Sequence, residues 1–99
     1  MNSREAVTQE VIDAITDVVT QDMRPFGIKS VVVTAGEDHD GDAILVVEAR
    51  YSRSEEPIDP HVMAGLTTKM RDRLWALGED RFPHIRHRFP KEPRVVGYP

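Results

Sequence analysis

Ninety-nine residues, 39% of them apolar and 30% charged, suffice for one small globular core and exclude a second. With no cysteine, the chain cannot build disulfide frameworks, cysteine nucleophiles, iron–sulfur clusters or thiolate zinc sites. The net charge of −4 hides a split: residues 1–60 carry 5 Lys/Arg against 13 Asp/Glu, residues 61–99 carry 8 against 4.

The first element is a helix over about residues 3–22. Val7, Val11, Ala14, Ile15 and Val18 recur at helical spacing, Ile12 and Val19 widen the stripe, and Glu10, Asp13 and Asp17 lie opposite. Asn2 and Glu5 have the spacing of a capping box. Pro25 and Gly27 in "MRPFG" end the helix, the proline by disfavouring helical backbone at Arg24.

Two β-branched strands follow, about 28–36 and 43–52, joined through "EDHDGD" at 37–42. Every odd position from Ala43 through Leu45, Val47 and Ala49 to Tyr51 is apolar and is assigned to the core. A two-residue turn at Asp40–Gly41 would set Thr34 and Gly36 beside these side chains. A three-residue loop, His39–Asp40–Gly41, sets Val31, Val33 and Ala35 there instead, and places Gly41 where the turn demands a left-handed residue. The second register is expected because it packs better. It leaves Ile28, Val32, Ile44 and Val46 on the opposite face beside Ser30, Thr34, Glu48 and Arg50, a face more apolar than one bathed in water requires.

"SRSEEPIDP" is a polar connection. Asp59 as N-cap and Pro60 at the first helical position start a second helix over about 60–77, with Met63, Leu66, Met70, Leu74 and Leu77 as its buried stripe and Gly78 as its terminator. Trp75 lies off that stripe. "HIRHRF" alternates Ile85, His87 and Phe89 against Arg86 and Arg88 as a short third strand. Residues 91–99, with Pro93 and Pro99, read as an extended tail whose Val95, Val96 and Tyr98 can dock on a surface. The expectation is a single α+β domain, α-β-β-α with a short C-terminal strand, helices on one face of the hairpin, over 1–90.

Few residue patterns carry chemistry. Asp38, Asp40 and Asp42 begin like a calcium loop, but Ala43 and Ala49 stand where an EF-hand needs its glycine and its bidentate glutamate. His84 and His87 face opposite sides of a strand and cannot chelate one ion together. "RFPHIRHRFPK" interleaves basic and aromatic residues as a nucleic-acid surface does; the competing explanation makes Phe82 and Phe89 core anchors. There is no nucleophile elbow, phosphate loop or HExxH motif. No apolar run approaches the ~18–20 residues of a membrane span, and "MNSREAVTQE" lacks the features of a secretion signal, so a cytoplasmic protein is expected.

The order helix, hairpin, helix, short strand resembles the C-terminal cytoplasmic domain of cation diffusion facilitators. That resemblance implies a metal-responsive dimer, with His39, His84 and His87 as the available imidazoles. "DHDGDAILVVEA", "IDP", "MRDRL" and "LGEDRFP", within about residues 28–84, resemble a group of small uncharacterised bacterial proteins encoded beside HEPN-type ribonuclease toxins. This second resemblance implies an accessory or antitoxin-like partner with no catalytic residues. The expected function is therefore protein association, with another protein or with itself as a homo-oligomer, without catalysis, cofactor, resident metal, nucleic acid or membrane. Val32, Ile44, Val46, Arg50, Arg86, Arg88 and Tyr98 are the expected contact residues. A metal-responsive dimer and a small RNA binder are the alternatives.

Overall fold

A computed structural model describes residues 6–52 and 59–90. The elements run α1 (Gln9–Met23), a single 3-10 turn (Arg24–Phe26), β1 (Ile28–Glu37), β2 (Ala43–Tyr51), α2 (Pro60–Ala76) and β3 (Phe82–Arg88). The three strands form one mixed sheet in the order β1-β2-β3, with β1 antiparallel and β3 parallel to the central β2. A parallel return needs a crossover, and α2 supplies it. The expected α+β class and element order hold.

α1 starts later than its periodicity predicts. Thr8, in extended backbone, is the N-cap, and its hydroxyl accepts from the Val11 amide. Val7 and Ile12 occupy the two positions of a hydrophobic staple, and both pack against the core. The cap explains the correction, since residues 6–8 are already outside the helix; Asn2 and Glu5 lie outside the described residues. Val11, Ile15, Val18, Val19 and Met23 form the buried stripe.

The hairpin adopts the three-residue loop. Val31 pairs with Ala49, Val33 with Val47 and Ala35 with Leu45. Asp38 donates its amide to Asp42 O at 3.0 Å, and Gly41 takes φ 85°, which costs a glycine nothing. One shift interrupts the register between Ile28 and Ser30, so that Ile28 pairs with Tyr51 and packs on the core. Its expected place on the opposite face is therefore wrong: an extra residue in one strand turns the residues beyond it over.

α2 is bounded as its sequence predicts. The Asp59 carboxylate accepts from the His61 amide at 2.8 Å. At the other end Gly78 (φ 78°) donates to Trp75 O and Glu79 to Leu74 O, the paired bonds of a Schellman motif. Leu66, Met70 and Leu74 are buried, whereas Met63 and Leu77 remain 37% and 45% exposed. Both have the right angular position but sit in a terminal turn. The two helices are antiparallel, tied across their rims by Arg73–Asp17 and Lys69–Asp22 ion pairs. They pack with Val33, Leu45, Val47, Ala49 and Tyr51 in one core on the odd-numbered side of the sheet. No helix of the described residues is long and apolar enough to cross a membrane.

Candidate association face

With the odd positions turned into the core, the even positions of all three strands share the other face. Pairing arranges them in rows across the sheet: Gly36, Ile44 and Phe82; Thr34, Val46 and His84; Val32, Glu48 and Arg86; Ser30, Arg50 and Arg88. Six of the seven expected contact residues thus lie on one surface: Val32, Ile44, Val46, Arg50, Arg86 and Arg88. Tyr98 and the rest of the tail lie outside the described residues. Among those residues, neither helix covers this face.

The rows differ in character. Phe82, in the row nearest the turn, and Val32, two rows further on, are 41% and 36% exposed, with a half-buried Val46 in the row between them. Ile44 is only 5% exposed, so it supports its neighbours more than it offers surface. Gly36 permits this arrangement, since a Cβ there would lie 2.9 Å from Val46 Cγ2. At the other end, Glu48 Oε2 accepts from Arg50 Nε at 3.0 Å and stands 3.6 Å from Arg88 Nε. The Arg50 hydrogen bond, aided by the fields of Arg50, Arg88 and Arg86, holds the Glu48 carboxyl below its usual range. Among the described residues, three guanidinium groups against one carboxylate make this end basic.

Beyond Gly36 and Ile44, the Asp38–Asp42 pair continues the even-numbered side into the turn. Asp38 Oδ1 accepts from the amides of Asp40 and Asp42, both at 2.9 Å. These bonds, the one from Asp42 foremost, lower its pKa; the fields of His39 and His84 add to them. The carboxylates of Asp38, Asp40 and Asp42 lie within 4.8 Å of one another, yet the turn's own amides account for the orientation of Asp38. His84 points away from His87, as strand geometry requires. Their rings serve different surroundings: His84 meets Phe82 edge to face, while His87 Nδ1 lies 2.6 Å from the Tyr51 hydroxyl on the core side.

Phe82 and His84 are members of the face that sequence reasoning missed. Arg71 from α2 reaches over the Phe82 ring at 5.2 Å, a cation–π contact around the sheet edge. Phe82 is no core anchor, and Phe89, 49% exposed, stacks on Tyr51 at 4.6 Å. Only the strand that β3 joins, and its direction, would have placed Phe82 beside Ile44. On the far side of the molecule Trp75 is 78% exposed. No family model matches this sequence, and no curated protein or solved structure is significantly similar to it.

Proposed function

We propose that this chain is a non-enzymatic cytoplasmic association module that binds a protein partner through the open face of its sheet. The single observation that carries the proposal is the make-up of that face: exposed Phe82 and Val32 and half-buried Val46 lie beside an arginine cluster, with only the Arg71 side chain of α2 reaching over the edge onto Phe82 among the described residues. Exposed apolar residues beside a cluster of arginines are the composition of a protein interface. An accessory or antitoxin-like subunit is one form such a module takes.

The test is capture of partners from mild lysate on the tagged chain, with stoichiometry by light scattering, using wild type, Val46→Glu and Trp75→Ala. The reading requires Val46→Glu to abolish a stoichiometric association while its circular dichroism is unchanged, and Trp75→Ala to retain it. Loss with Trp75→Ala alone moves the interface to the helical side and refutes the sheet face.

One observation favours a second reading. Arg86 and Arg88 flank aromatic Phe82 and His84 on an open sheet, the arrangement on which single-stranded RNA stacks. The ion pairs of Glu48 and the carboxylates of the adjoining turn weigh against it. An RNA shift that weakens with salt and disappears with the double variant Arg86→Ala, Arg88→Ala decides for RNA.

A further inference from the structure

We infer that the occupant of the open face is a second copy of this chain, packed sheet on sheet about a two-fold axis that lies in the interface, perpendicular to the strands, beside Val46. The inference rests on the association reading above and names its partner. Its ground is the order of charge along the even-numbered side. Asp38 and Asp42 close one end, Ile44, Phe82, Val46, Thr34 and His84 fill the middle, and Arg50 and Arg88 close the other.

A two-fold interface must be complementary to itself, each residue meeting its counterpart reciprocally. An axis parallel to the strands would stack acidic turn on acidic turn and arginines on arginines. The perpendicular axis instead reverses the strands of the second copy and brings the acidic end of each over the basic end of the other. Asp42, in the turn just before β2, and Arg50, on β2, stand four residues either side of Val46, so Val46 sits at the centre of the exchange. The row of Ile44 and Phe82 then faces the row of Glu48 and Arg86, with the ring opposite a guanidinium. Stacked sheets lie about 10 Å apart, a gap that Val46 and Phe82 side chains fill from both sides. Three strands give a small interface, in the size class of transient complexes, so the dimer forms and dissociates with concentration.

Sedimentation equilibrium over a micromolar-to-millimolar series tests this with wild type, Asp42→Arg, Arg50→Asp, the doubly exchanged Asp42→Arg/Arg50→Asp chain, and Val46→Glu. Each single exchange places like charges together twice per dimer and is expected to weaken dimerisation roughly tenfold or more. The double exchange restores opposite charges only if position 42 meets position 50, and is expected to return to within roughly threefold of wild type. If either single variant fails to fold by circular dichroism, Asp42→Asn and Arg50→Gln replace them, with weakening in the same direction. A double variant weaker than both singles overturns the arrangement. A wild type that stays monomeric throughout overturns the self-association inference and leaves the association reading to partner capture. A dimer unaffected by Val46→Glu forms through another surface and overturns the self-association inference, leaving the association reading to partner capture with the same variant.

Discussion

At the scale of single residues, two polar contacts at the edge of the core set how stability depends on pH. Burial pushes the Tyr51 hydroxyl up to about 12 and holds the His87 imidazole below its ordinary value. His87 Nδ1 shares a hydrogen bond of 2.6 Å with the Tyr51 hydroxyl, and Nε2 is buried without a hydrogen-bond partner among the described residues. Because the unfolded chain takes up a proton more readily at His87, stability from this group is complete above about pH 6.5 and falls as pH drops through that value. Tyr51 acts in the opposite sense, its contribution declining as pH rises above about 10. Urea melts from pH 5 to 8 are expected to show the acid-side loss, and His87→Phe to flatten it. Glu79 and Arg81 form the other contact. Glu79 accepts from Arg81 Nε at 2.8 Å, from Nη2 at 2.9 Å and from its amide at 3.0 Å, with both side chains nearly buried. The Arg81 hydrogen bonds lower the Glu79 pKa, so their contribution is present above its unfolded pKa and is lost as pH falls through the folded one. Glu79→Gln is expected to cost about 1–2 kcal/mol at pH 7 in denaturant melts, and less as pH falls through the lowered folded-state pKa of the wild-type carboxyl.

At the scale of elements, what could be read from the sequence was whatever is decided locally. The period-2 pattern of β2 and the loop length before it fix the face of each side chain between residues 30 and 50, which is why six expected contact residues share one surface. Asp59, Pro60 and Gly78 mark α2 because caps act within one turn of their own backbone. The start of α1 was missed because periodicity continues through Val7 while the chain has already left the helix at Thr8. Thr8→Ala is expected to destabilise the protein by about 1 kcal/mol in a thermal or urea melt, the ordinary worth of a threonine cap. Ile28 was misassigned because a bulge leaves no trace in alternation. β3 was seen as a strand but not as the parallel neighbour of β2. That pairing depends on how α2 packs across the sheet, a tertiary fact, and Phe82 and His84 were lost from the predicted face with it.

At the scale of the whole molecule, folding converts a charge split along the chain into one along a surface. Acidic residues of the hairpin turn meet the sheet at one end, and arginines from β2 and β3 gather at the other. Charges at the rim of an interface act chiefly on encounter and register and are screened by salt, whereas the apolar centre is not. Association through this face is therefore expected to weaken several-fold between low and high salt without vanishing, as sedimentation at several ionic strengths reads directly. The most direct measurement of the central claim is methyl NMR with a soluble paramagnetic agent, comparing the dilute chain with its associated state. The account predicts that methyls of Val32 and Val46 are broadened by the agent when dilute and become protected on association, while those of Leu77 stay accessible in both. Equal broadening of Val32 and Val46 in both states, with protection arising instead at Leu77 on the helical side, would contradict it.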